Sequence, residues 1–217
     1  MKDPIKVDTP QKSFDFDFKG NLNEMVFKTN PIFTLALSLT PVLIFTKDLN
    51  QSVVISITLL IILTLATFMF SIFNKFIPEN MKDITWLILF AFLITFSEII
   101  LQVIDLTMYE TLGIYVPLLS LSGLILYQAL VKNLENNIVK DTLRASIFGL
   151  SFMLSMVVIS ILRSIITTGA VRLFGIQMRL FDVVYSFTLL DSAFGAFVLL
   201  GLLLGFFRSK ITRGEQK

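Results

Sequence analysis

The sequence predicts an all-α integral membrane protein: six transmembrane helices in two inverted three-helix repeats, with the first and fourth helices broken. Three observations carry this. The 217 residues are 55% hydrophobic and 16% charged, with mean hydropathy +0.81, more apolar than a soluble domain of this length. The apolar residues fall into six runs, several near the roughly 20 residues that a helix needs to cross a bilayer. They show none of the alternating segments of about 10 residues that mark a membrane barrel. Finally, the two irregular runs open the two halves of the chain and carry related pentapeptides, "LSLTP" (37–41) and "LSLSG" (119–123).

Residues 1–30 form a polar tail predicted to lie in the cytoplasm. They include the aromatic/acid alternation "SFDFDFKG" (13–20), which reads as a loosely docked tail or as a short strand or anchor on a partner. No apolar core of a cleavable signal peptide is present there, so the first hydrophobic helix is expected to direct insertion. The membrane domain is expected over 31–207, with repeat one at 31–104 and repeat two at 112–207, followed by a cytoplasmic tail at 208–217. Its runs are 31–46, 52–74, 84–104, 112–131, 143–166 and 183–207. The second, third, fifth and sixth are long enough to span. The first is short and contains Pro41, which removes a backbone donor and crowds the preceding turn. The fourth is interrupted by Gly113, Pro117 and Gly123.

Charge sets the orientation. With the N-terminus inside, all but four of the 18 Lys and Arg residues fall on the inner side, the exceptions being Lys47, Arg163, Arg172 and Arg179. Positive residues collect on the cytoplasmic face, so both termini are expected there. Topology accounts for this basic face, and nucleic-acid binding is not needed to explain it.

Three helices per half is an odd number, so the second half runs opposite to the first. Each half opens with Leu-Ser-Leu, a small hydroxyl residue and a helix breaker. Interrupted apolar segments at matching points of two halves point to an inverted repeat whose broken helices meet near the midplane. Irregular backbone cannot face lipid, so it must be enclosed, line a cavity or be covered by a partner.

The chain contains no His and no Cys. That excludes disulfides, thiolate ligands and haem ligation by His. Four polar residues within the apolar runs remain as ion or charge candidates. Glu98 and Gln102 are four residues apart and share a helix face. A carboxylate at bilayer depth is expensive and marks a cation or proton site, a hydrogen bond between helices, or a residue near enough to the interface to reach water. Asp191 lies about 9 residues into the sixth run and is a charge candidate or a helix cap; Ser192, Gly195 and Ala196 follow it. Arg163, near the outer end of the fifth run, either pairs with Asp191 or snorkels outward. Gly195, Gly201 and Gly205 suggest close packing against another helix. Trp86 and Tyr109 fall where interfacial belt residues sit.

"NPIFTLALSLTP" (30–41), "KFIP" (75–78), "LQVIDLTMYETLGIYVPLL" (101–119), "ILRSIITTGAVRLFG" (161–175) and "AFGAFVLLGLLLGFF" (193–207) together resemble a known family. It comprises the E subunit of the Rnf electron-transport complex and its counterpart, the D subunit of Na+-translocating NADH:quinone reductase. The resemblance implies six helices in inverted repeats and pairing with a homologous subunit of opposite topology. It also implies a complex with flavin-carrying subunits that couples electron transfer to Na+ or H+ movement, and an intramembrane Fe–S cluster whose Cys ligands sit at the broken half-helices. This sequence departs from the pattern at those positions. Thr40 stands where the first Cys is expected, and Ser122 or Gly123 where the second is. Ser164 replaces the Glu that follows the family's fifth-helix Arg, although Arg163 remains.

The expected function is therefore that of a non-catalytic membrane subunit of an Rnf/Nqr-like translocase, embedded in lipid and without a Cys-ligated cluster of its own. Two alternatives stay open on the residues alone. One is an inverted-repeat ion or small-solute transporter, with Glu98 and Asp191 as coupling residues. The other is a cluster-free assembly scaffold.

Overall fold

The computed structural model describes residues 32, 39–113, 115–123, 125, 137–179 and 192–214. The helices in chain order are α1 (Leu39–Phe45), α2 (Leu49–Phe73), α3 (Lys82–Ile104), α4 (Leu106–Leu112), α5 (Tyr115–Leu118), α6 (Ile138–Thr168) and α7 (Ala193–Gly214). A hairpin of β1 (Ala170–Leu173) and β2 (Ile176–Arg179) separates α6 from α7. The polar tail at 1–30 lies outside the described residues, as does most of the run from 183 to the start of α7.

The three long helices start where a short polar side chain or a tight turn takes up free backbone donors. Asp48 accepts from Asn50 N at 2.9 Å ahead of α2. Asn137 accepts from Lys140 N at 3.4 Å ahead of α6. For α3, the turn containing Pro78 leads into a single 3₁₀ turn at Glu79–Met81. Asp105 closes α3 in extended conformation, and its carboxylate accepts from Met108 N at 3.0 Å to open α4. It is a cap between two helices rather than a charge within one. Gly113 (φ +47) ends α4 and Gly169 (φ +65) ends α6, both with the positive φ that glycine adopts at low cost.

Leu49–Phe76, Glu79–Ile104 and Ile138–Thr168 are long and apolar enough to cross a membrane, and Phe194–Phe206 is a shorter apolar helix. These match the second, third and fifth runs of the sequence and the described part of the sixth. In the described part of the fourth run, α5 supplies one turn, and Leu119–Leu121 tightens into a 3₁₀ turn.

The centre is an antiparallel pair, α2 against α6. Leu59, Leu63, Ala66 and Phe70 of α2 are buried with Ala145, Phe148, Phe152 and Met156 of α6. In lipid there is no hydrophobic force between helices, so close approach and hydrogen bonds hold such pairs together. Both are present. The hydroxyls of Thr64 and Ser146 lie 3.2 Å apart. One turn away, a Cβ placed on Gly149 would come within 3.2 Å of Leu60 Cα. A Gly149→Leu chain is expected to separate the helices and lose at least half its yield of monodisperse protein in size-exclusion chromatography. Gly149→Ala should be tolerated with a slight loss, and a Leu variant that elutes like the parent would refute the close crossing.

α3 packs against α2 and against the 115–121 segment. Trp86 stacks on Phe90 with ring centroids 5.5 Å apart, and both are fully buried. Trp86 is therefore a packing residue and not the lipid-facing belt residue that its position suggested. The opposite side of α3, with Ile84, Ile88, Phe92, Phe96, Ile99 and Val103, is exposed, as expected of a helix that meets lipid or a partner.

The hairpin corrects the sequence reading, which placed no element between 166 and 183. Val171 pairs with Met178, Arg172 with Gln177, and Leu173 with Ile176. The two turn residues, Phe174 and Gly175, have φ of +43° and +88°, the pattern of a tight hairpin turn that matches strand twist. Phe at such a position costs about 1–2 kcal/mol relative to an ordinary conformation.

Candidate functional site: the polar cradle at the end of the first half-helix

α1 has seven residues, LTPVLIF, with Pro41 at the third. The first turn of a helix has no carbonyl waiting for its N–H groups, so Pro is tolerated there and pre-set for helix. The proline that looked like a breaker thus sits where a short helix opens. Its buried ring and the side chains of Val42, Phe45 and Thr46 place α1 among α2, α6 and α7.

A half-helix buried in this way leaves its last carbonyls without partners. Here side chains of α2 and α6, with Thr46 of the turn that follows α1, reach them. Arg163 of α6 is only 2% exposed. Its Nη1 donates to Leu43 O at 3.3 Å and to the Thr46 hydroxyl at 3.1 Å, and its Nη2 donates to Ser192 O at 3.3 Å. The Ser52 hydroxyl donates to Phe45 O at 2.6 Å, and the Ser160 hydroxyl to Thr46 O at 3.2 Å. Thr46 in turn donates its hydroxyl to Val42 O. A cation at a helix C-terminus also opposes the negative end of the helix dipole. Arg163 therefore points inward and ties α1, α6 and the residue before α7 together. It does not snorkel outward, because backbone carbonyls of a buried helix end offer the donors a better site than the membrane surface.

Phe45 meets Tyr115, the first residue of α5, edge to face at 6.2 Å. The end of the first irregular segment thus touches the start of the second. In that second segment the Ser120 hydroxyl donates to Pro117 O at 2.7 Å, and Ser122 N donates to Leu119 O at 3.0 Å. Ser122 is buried, and its hydroxyl meets no hydrogen-bond partner among the described residues. Gly123, next to it, can offer only backbone. Thr40 lies in the first turn of α1, and its side chain is outside the described residues, as is Asp191.

The other candidates lie elsewhere. Glu98 is half-buried and Gln102 exposed on α3, away from the cradle. Among the described residues, no group of three or more His, Cys, Asp or Glu side chains could hold a metal ion. At the two breaks the donor set is hydroxyl and backbone, and the chain has no Cys. Iron–sulfur clusters need thiolates, so these residues do not fit such a group.

Sequence reasoning selected Arg163 but missed Thr46, Ser52 and Ser160. A signal was present in part: Ser160, Arg163 and Thr167 follow at three- and four-residue spacing along one helix face. The acceptors, Leu43 O, Phe45 O and Ser192 O, are main-chain atoms and leave no mark in side-chain identity.

Comparison with known proteins places this architecture. Residues 19–204 match the model of the Rnf-Nqr family, described as "Rnf-Nqr subunit, membrane protein". The chain is 27% identical over 199 residues, 87% of each protein, to the E subunit of the ion-translocating oxidoreductase complex of Buchnera aphidicola. It is 26% identical over 208 residues to the protein of the same name from Haemophilus influenzae, covering 91% of this chain and 87% of that one. It is 27% identical over 189 residues to the E subunit of the Na(+)-translocating ferredoxin:NAD(+) oxidoreductase complex of Acetobacterium woodii, covering 87% of this chain and 95% of that one.

Proposed function

Since this chain belongs to the Rnf-Nqr family of membrane subunits, we propose that it is a membrane subunit of an ion-translocating electron-transfer complex. It pairs with a homologous subunit of opposite topology and with flavin-carrying subunits, and it holds both termini on the cytoplasmic side of a bacterial or archaeal cell membrane. The observation that carries this reading is the match across nearly the whole membrane domain, together with relatives named as E subunits of such complexes that align over most of both chains.

The site adds support. A buried arginine and three hydroxyls hold a short helix end at a fixed place between two spans, as a protein with irregular backbone inside the membrane requires. The exposed side of α7 adds more. A Cβ at Gly201 or Gly205 would meet nothing within 4 Å, so the close packing expected of these glycines is not satisfied within the described chain. A helix of a second subunit can use such a face.

Without thiolates this chain supplies no Cys ligand to an iron–sulfur cluster, and the part assigned to it is architectural and ion-conducting. Glu98 is the residue to test for the ion path, being an intramembrane carboxylate at the edge of α3. Tagged chain purified from its own membranes in mild detergent is expected to bring down several subunits, with flavin in the eluate. A chain that purifies alone as a stable monomer, and drives ion flux in proteoliposomes that Glu98→Gln abolishes, would instead establish a self-sufficient transporter.

A further inference from the structure

The β1–β2 hairpin has a task that the proposed complex does not account for. We infer that it is an interfacial anchor, lying in the headgroup layer of the bilayer and resting its apolar face against phospholipid. Its position is set at both ends. The base follows Gly169, which caps α6, a span of 31 residues. At the tip, Phe174 N donates to Asn50 Oδ1 at 2.8 Å. Asn50 lies in the first turn of α2, beside the polar turn residues Lys47 and Asp48. Both anchor points are therefore ends of membrane-spanning helices, and the hairpin lies across those ends instead of projecting away from them.

Register makes the ribbon amphipathic. Side chains alternate along a strand, so Val171, Leu173, Ile176 and Met178 share one face, and Ala170, Arg172, Gln177 and Arg179 share the other. Leu173, Phe174, Ile176 and Met178 are all exposed. A two-stranded hairpin with an uncovered apolar face is marginal in water. At the level of the headgroups the same face meets acyl chains while the arginine face meets phosphates. The turn agrees: a phenyl ring occupies a left-handed position that Gly or Asn would fill without strain. The ring extends the apolar face at the tip.

The absence of Cys from the chain makes the test clean. Single Ile176→Cys, Gln177→Cys and Met178→Cys chains, with any co-purifying subunits, are spin-labelled and reconstituted in phosphatidylethanolamine/phosphatidylglycerol vesicles, and the signal of the unsubstituted complex, treated identically, is subtracted. Collision with oxygen, which partitions into lipid, is compared with collision with a water-soluble nickel chelate. Positions 176 and 178 should favour oxygen and be protected from nickel, with 177 showing the reverse. Phe174→Asn, which suits the turn, should keep the hairpin but raise nickel access at 176 and 178. Equal nickel access at all three positions would overturn the proposal by placing the hairpin in water. Shielding of 176 and 178 from both reagents would overturn it by placing protein over that face.

Discussion

An Arg163→Leu chain is expected to melt roughly 6–12 °C below the parent in detergent, on a loss of about 3 kcal/mol and a shift of roughly 2–4 °C per kcal/mol for a domain of this size. The loss arises on the acceptor side. Leucine fills much of the space but leaves Leu43 O, the Thr46 hydroxyl and Ser192 O without the donor they now have. Bonds from a charged donor contribute about 1.5–3 kcal/mol each, and a buried acceptor left unpaired costs comparably. Water cannot replace the donor inside the membrane. Arg163→Lys separates charge from geometry. The ammonium keeps the cation at the helix end, but one nitrogen cannot reach acceptors on both sides as the guanidinium fork does. It should fall between parent and leucine. Circular dichroism melts of the three chains measure this, and coincident curves for Arg163→Leu and parent would mean that Arg163 does not hold α1. Thr46→Val on the same scale should couple to Arg163, since the two share a bond and removing one takes part of the other's effect with it.

Much of this was legible in the sequence because bilayer thickness imposes a length on apolar runs. The ends of α2, α3 and α6 fall within five residues of the runs read at 52–74, 84–104 and 143–166. What escaped is what the length rule does not govern. The hairpin has strands of four residues and a Phe-Gly turn in place of the Asn-Gly that signals such turns. The helix α4 is one short amphipathic stretch opened by Asp105, too brief for a periodic signal. Trp86 carries the composition of an interface residue, and only packing decides whether such a ring faces lipid or the neighbouring helix. Arg163 was visible as an unusual charge near a span's end, but its partners are carbonyls that any residue could supply. Gly201 and Gly205 of α7 show the converse: their spacing was plain, but a Cβ at either would meet nothing within 4 Å.

The cradle also changes what the first break means. A Pro in a transmembrane run reads as an interruption, yet Pro41 opens α1, and the polar work is done at the other end of the helix, at residues 43–46. The opening end carries Thr40, one of the two positions where the resemblance expects a ligand. The bonds that hold α1 in the described residues are all made at its far end, by Arg163, Ser52, Ser160 and Thr46.

If the two breaks face one another as an inverted repeat requires, Thr40→Cys combined with either Ser122→Cys or Gly123→Cys will form a disulfide on mild oxidation, and only one of the two pairs will do so efficiently. The chain has no Cys of its own, so each double variant carries a single possible intramolecular pair. A disulfide forms only when the Cα atoms come within roughly 4.4–6.8 Å with suitable Cβ directions. Successive positions on a helical turn point about 100° apart, so the favourable geometry cannot hold for both 122 and 123. The pair that closes therefore also fixes the register of the repeat: Ser122 if the internal repeat is aligned residue for residue with Thr40, Gly123 if it is slipped by one. Blocked maleimide labelling that returns on reduction, with the linked peptides identified by mass spectrometry, reads the result. Single variants, which have no partner, should label fully throughout. The contact between Phe45 and Tyr115 already joins the two segments at one level, but those residues lie five and seven positions along the chain from Thr40 and Ser122. Cross-linking at neither pair would separate the breaks and remove the inverted repeat as the basis of this architecture. Cross-linking at one would place Thr40 beside Ser122 or beside Gly123, and so join the two breaks at that level.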